Sequence, residues 1–126
     1  MAREILHTDD APTSPLYSQG VKSGNTIITS GFVGFDPSTG EMAGPSVGEQ
    51  TSQAILNCLA VVAAGGGTIE DVLEVGVLIA EPHDFAEMNE AYAKFFAVEP
   101  PTRWTARLGP VLPGIRVSVR MQAQLG

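Results

Sequence analysis

The sequence predicts an α+β fold, a mixed sheet of about six strands with two helices on one of its faces. Three observations predict it. Strand-like and helix-like runs follow one another as short strands, helix, strand, helix and two strands. Clusters of Gly, Pro, Asn and Asp punctuate those runs. In residues 26–35 and 72–80, apolar side chains occupy both parities of the two-residue strand period, so both faces of the sheet require cover. Two helices cover one face only. The other requires a second subunit, and strand patterning alone therefore predicts an obligate homo-oligomer.

Each element has its own signal. Residues 17–22 and 26–35 read as the arms of a hairpin turning at Ser23, Gly24 and Asn25. A loop holding Asp36, Pro37, Ser38, Gly40 and Pro45 leads to Ser46 and Glu49, spaced as a capping box, and a helix runs from there to about Ala64. Val47, Thr51, Ala54, Ile55, Cys58, Leu59 and Val62 repeat at the three-to-four spacing of a core-facing stripe, which makes Cys58 a packing residue. Gly65, Gly66 and Gly67 end that helix, and the β-branched run 72–80 reads as a strand. Asp84 is expected to cap a second helix whose buried face is Phe85, Met88, Tyr92, Phe95 and Phe96. Strands at 102–108 and 115–124, joined by the turn-forming residues 109–114, close the chain.

The charge distribution is uneven. Four of the seven basic residues and none of the fourteen acidic ones lie after Glu99, so this tail carries +4 and the rest of the chain −11. Arg103 follows Pro100 and Pro101, which restrict the approach of the backbone and present one guanidinium rigidly, a form suited to a carboxylate or phosphate. Alternation puts Arg103, Thr105 and Arg107 on one face of their strand, and Arg116, Ser118, Arg120 and Gln122 on one face of the next. Antiparallel pairing of the two strands would merge the rows into a single cationic surface; a solvated edge with unrelated arginines is the alternative. Trp104 points away from Arg103 and reads as packing.

Other function classes lack support. A length of 126 residues suits a single domain, residues 1–126. The charged N-terminus does not resemble a secretion signal, and no apolar stretch approaches the ~20 residues of a membrane span. A cytoplasmic protein with no membrane partner is expected. The pI of 4.6 disfavours nucleic acid as a partner. His7 and His83 have no further ligands at metal spacing, and Gly31 and Gly34 do not make a dinucleotide fingerprint, so neither metal nor cofactor is expected.

At this point the order and spacing of several motifs matter. Tyr17-Ser18-Gln19-Gly20-Val21-Lys22, Thr29-Ser30-Gly31, Asp36-Pro37-Ser38-Thr39-Gly40, Gln50-Thr51-Ser52-Gln53-Ala54, the run from Met88 through Asn89 and Tyr92 to Phe96, and Pro101-Thr102-Arg103 together resemble the RidA/YjgF/UK114 family of reactive-intermediate deaminases. The resemblance covers nearly the whole chain. It implies a chorismate-mutase-like fold assembled as a homotrimer, with sites in clefts between subunits. It also implies cofactor-free hydrolysis of 2-imino or 2-enamino acids to 2-keto acids and ammonia. By position, Arg103 matches the arginine that grips the substrate carboxylate, while Tyr17, Ser30, Gly31 and Asn89 match residues lining the cleft, Gly31 through its backbone. The chain departs from the family at several site positions. Thr105 stands where a cysteine is typical, Ser118 where a glutamate positions the attacking water, and Phe32 where a glutamine often follows Ser-Gly. Arg107 and Arg120 occupy positions that are often acidic.

Two functions therefore compete. One is a divergent imine or enamine deaminase, a hydrolase using Arg103, Ser118 and Thr105 on a bulkier or more anionic acid, with Arg120 available to a second anionic group. The other is a non-catalytic protein of the same fold that binds or senses a carboxylate metabolite. RNA cleavage is a weaker third reading, because the chain offers neither a histidine pair nor a broad basic face.

Overall fold

The computed structural model describes residues 2–126. Short strands β1 (Glu4–Leu6), β2 (Gly20–Ser23) and β3 (Thr26–Thr29) precede a small two-stranded ribbon, β4 (Phe35–Asp36) with β5 (Glu41–Met42). Helix α1 (Val47–Ala64), strand β6 (Val72–Ile79), helix α2 (Phe85–Ala93) and strands β7 (Thr102–Arg107) and β8 (Val117–Gln124) complete the chain. The main sheet has six strands in the order β1-β2-β3-β8-β6-β7, with β6 and β7 parallel and all other neighbours antiparallel. This is the expected mixed sheet.

Local chemistry explains most element ends. Ser46 accepts a hydrogen bond from the Glu49 amide and the Glu49 carboxylate accepts one from the Ser46 amide, the capping box read from the sequence. Gly65 closes α1, and Gly66 continues the turn at φ +94°, which costs a glycine no steric penalty. The hairpin at 23–25 is present, yet its arms are shorter than expected. The side chains of Thr29 and Ser30 end β3: Thr29 Oγ1 accepts the Met121 amide at 2.9 Å, and Ser30 Oγ donates to the Ser18 carbonyl at 2.6 Å. The chain resumes pairing only at Phe32, which exchanges both backbone bonds with Val119.

Val47, Ala54, Ile55, Cys58, Val61 and Val62 of α1 pack on Ile27, Val75, Val77, Val117, Val119 and Met121, all buried. At about 25 cal/mol per Å² of apolar surface, this burial is the main favourable term in the fold. Met88 and Tyr92 of α2, and Phe96 just beyond it, extend the same core, whereas Phe85, expected among them, is 45% exposed. Asp84 also departs from expectation. Its carboxylate makes no cap bond; a 3-10 turn at Pro82–Asp84 leads into α2, and Asp84 turns instead to Arg116.

The largest correction concerns the last two strands. β7 and β8 are not neighbours, because β6 lies between them. Strand β6 is the apolar one and gains ladder partners on both edges, with 108–116 stepping across its end, a span of about 10 Å. The register then sets the arginine rows on opposite faces. Arg103 aligns with Val75 and Met121 on the helix side, while Arg120 aligns with Gly76 and Trp104 on the other. No single cationic surface forms. On that other face Ile5, Ile28 and Trp104 are exposed, so no described residue covers it there.

Candidate functional site

Three of the four tail arginines are neutralised by earlier parts of the chain. Arg116 Nη2 donates to Asp84 Oδ1 at 2.5 Å, with Asp84 4% exposed. Arg120 pairs with Glu74 across β8 and β6 at 3.3 Å, and Arg107 faces Glu81 at 3.8 Å. The Asp84 carboxylate holds the Arg116 guanidinium still more firmly in its charged form, against a smaller opposing effect of burial. The charge asymmetry of the sequence is thus largely consumed inside the fold. Arg120, expected to bind a ligand, and Arg116 are both engaged.

Arg103 differs. It has no carboxylate partner among the described residues. Its Nη1 donates to Asn89 Oδ1 at 2.7 Å and lies 4.0 Å from Met88 Sδ. The guanidinium carbon sits 4.8 Å from the centroid of the Tyr92 ring and 5.7 Å from that of Phe85, within cation–π range. Burial raises the pKa of Tyr92, partly offset by Arg103, so the ring supports the cation as a neutral phenol. A planar donor is therefore fixed by one neutral amide and two aromatic faces, with its charge uncompensated. Thr105, two residues along the same face, has a buried hydroxyl with no partner among the described residues.

The remaining predicted residues form a second group on the opposite face. A Cβ on Gly31 would come 3.1 Å from Ser118 Oγ, so these two positions touch. Ser30 is locked by its amide to the Gln19 carbonyl and by its hydroxyl to that of Ser18, which fixes the loop presenting Tyr17, 53% exposed. Phe32 does not join this group. Its ring is 4% exposed in the core and its backbone is committed to Val119. The single chain therefore brings Arg103, Asn89 and Thr105 together, and Gly31 and Ser118 together, but leaves the two groups on opposite faces of the sheet.

Two buried glutamines support these groups and were assigned no role from sequence. Gln19 Nε2 donates to the carbonyls of Thr8, Ala11 and Pro12 while Oε1 accepts the Thr8 amide, pinning the N-terminal segment beside Tyr17. Gln50 bridges Gly44, Gly114 and the Arg116 amide. Both lie inside motifs noted above, but only long-range contacts reveal their work. Cys58 is fully buried and its thiol is pushed up to about 12 by burial, so it is no nucleophile. No three His, Cys, Asp or Glu side chains gather as a metal site among the described residues. No helix there is long and apolar enough to cross a membrane.

Comparison with known proteins agrees with this architecture. The family model described as endoribonuclease L-PSP matches residues 8–125. A RutC family protein of Pyrococcus abyssi is 39% identical over 105 residues, 82% of each chain. The rat 2-iminobutanoate/2-iminopropanoate deaminase is 32% identical over 125 residues, 98% of this chain and 91% of that one. The crystal structure of Escherichia coli TdcF with bound serine superposes with a TM-score of 0.89 at 30% identity, covering 98% of this chain and 99% of the other. With a family model spanning nearly its whole length and relatives of this similarity, the chain belongs to the RidA/YjgF family, the family of the endoribonuclease L-PSP model.

Proposed function

We propose that the protein hydrolyses 2-imino and 2-enamino acids to 2-keto acids and ammonia, in clefts between the subunits of a homotrimer. One observation carries this reading: of the four tail arginines, only Arg103 keeps an uncompensated charge, on a guanidinium fixed by Asn89, Tyr92 and Phe85. A substrate carboxylate is the complementary group, because two parallel charge-assisted bonds match the planar fork. Relatives named as deaminases of small imino acids, and one holding serine, support that chemistry.

The reaction needs little else. A 2-enamino acid first exchanges its N–H proton for one at C3 through solvent and becomes the 2-imino acid. Water then adds to the C=N carbon, solvent supplies the nitrogen with a proton in return for the one the water loses, and the carbinolamine collapses with its C–N bond breaking, so that ammonia leaves as the carbonyl forms. Arg103 orients the acid and draws electron density from the adjacent carbon. The hydroxyls of Thr105 and Ser118 hydrogen-bond the water without removing its proton, which passes to solvent. Arg103 and Ser118 lie on opposite faces of one sheet, so a site using both takes Arg103 and Thr105 from one subunit and Gly31 and Ser118 from its neighbour. Lacking a carboxylate base, the chain should be slower than a relative that has one by ~10²- to 10⁴-fold in the assisted step.

A second reading follows from Ser118. The acid on that face, Glu74, is tied to Arg120, so the face lacks a free base and the protein would bind a carboxylate metabolite without converting it. A coupled assay with freshly generated imino acids separates the two. Keto-acid release that falls tenfold to a hundredfold in Arg103→Ala, roughly the loss of charge-assisted bonds, supports hydrolysis. Binding without release, together with gain of release in Ser118→Glu, supports the non-catalytic reading. RNA cleavage, which the family model's name suggests, fits poorly with a net charge of −7 and with arginines already neutralised by carboxylates.

A further inference from the structure

A recess opens beside Phe85, one of the two rings that flank the Arg103 guanidinium. Ile79, Pro82, Phe85, Thr105, Ala106 and Arg107 line a cavity of about 500 Å³. Phe85 belongs to both places, since its ring also lies beneath the Arg103 guanidinium. Phe85 is 45% exposed, and its outer side forms one wall of the recess. Strand alternation sets Arg107 on the same side as Arg103, about 13 Å further along. Between them the walls are apolar at Ile79, Pro82, Phe85 and Ala106 and carry one hydroxyl, that of Thr105.

Arg107 is also the most available of the three paired arginines. Its contact with Glu81 is the longest, at 3.8 Å, and joins side chains 68% and 50% exposed, whereas Arg116 grips a buried aspartate. An exposed pair of this length yields readily to a competing anion.

We infer that the recess receives the substrate side chain, and that the favoured substrate is a 2-imino acid whose apolar spacer ends in a second anionic group held by Arg107. The inference rests on the reading of Arg103 as the carboxylate anchor. Glu81 then acts against the ligand, because its carboxylate must give up Arg107 when the distal anion arrives. The substrate's C1 carboxylate and its terminal group occupy the two ends of one groove along β7.

The test compares 2-oxo monoacids with 2-oxo diacids of five to eight carbons by calorimetry, and the corresponding imino acids by keto-acid release. The natural protein should bind at least one diacid tenfold or more tightly than the monoacid of equal length. Arg107→Ala should remove that preference, Arg107→Lys should retain part of it, and Glu81→Gln should increase it. Equal affinity for both series, or a preference that survives Arg107→Ala, overturns the inference. The two readings fail separately. An Arg107-dependent diacid preference in binding, with no imine hydrolysis, sinks the hydrolytic function and leaves the groove standing. Hydrolysis indifferent to the distal group does the reverse. Arg107 is exposed on a strand edge, so its variants should fold.

Discussion

Arg103 is free because its partner is an amide. Asn89 accepts from Nη1 without neutralising it, so the guanidinium remains available to an external anion. Asn89→Ala should loosen the side chain and raise KM for an imino acid several-fold. Asn89→Asp should be worse despite its smaller change in shape, because an internal carboxylate would occupy the arginine; about tenfold or more weaker ligand binding is expected by calorimetry. Cys58 supplies a second prediction at this scale. Its folded pKa of about 12 lies above the ~8.5 of an unfolded thiol, so the folded state keeps a proton that the unfolded state releases. The associated stability is complete below pH ~8.5 and declines above it by about 1.4 kcal/mol per pH unit toward pH 12. Denaturant titrations of the natural protein and Cys58→Ala from pH 8 to 11 should show the steeper alkaline decline only in the former.

Among the elements, those with local signals were legible and those defined by distant contacts were not. Helix α1 shows the contrast well. Its capping box, buried stripe and terminal glycines all follow from sequence, and Ser46→Ala should cost about 1 kcal/mol in chemical denaturation. Arg103 and Asn89, both candidates on the resemblance, meet in the fold through a hydrogen bond of 2.7 Å. Asp84 was misread because its neighbours look like a helix start, while Arg116, 32 residues away, provides the stronger partner. Asp84→Ala should destabilise the protein by about 1–2 kcal/mol, since the removed partner leaves Arg116 unpaired but a third exposed and therefore partly solvated; a smaller loss in Asp84→Asn would separate charge from packing. Pairing of β7 with β8 was the natural reading of two strands joined by a turn. Nothing local in residues 109–114 records that β6 enters between them. The early end of β3 is similar, for it depends on the Thr29 hydroxyl taking an amide from Met121.

At the scale of the whole molecule, the chain is a half-covered sheet with a divided site. One face carries both helices, and the other shows Ile5, Ile28 and Trp104 to solvent. A trimer would cover that face and bring the Arg103 group of one subunit to the Gly31 and Ser118 group of another. Sedimentation equilibrium should then give three times the 13.2 kDa chain mass, and Trp104→Glu should shift the protein toward single chains while abolishing ligand binding. Retained binding in a monomeric variant would argue that one chain suffices. Trp104 is the chain's single tryptophan, and its indole lies across Gly76, where a Cβ would meet ring carbon Cζ2 within van der Waals distance. A methyl group at that glycine would lift the ring off the sheet. The same arrangement makes the protein its own optical reporter: all indole emission arises from one fluorophore on the uncovered face, so dilution that separates the subunits should move the spectrum to the red without any attached dye.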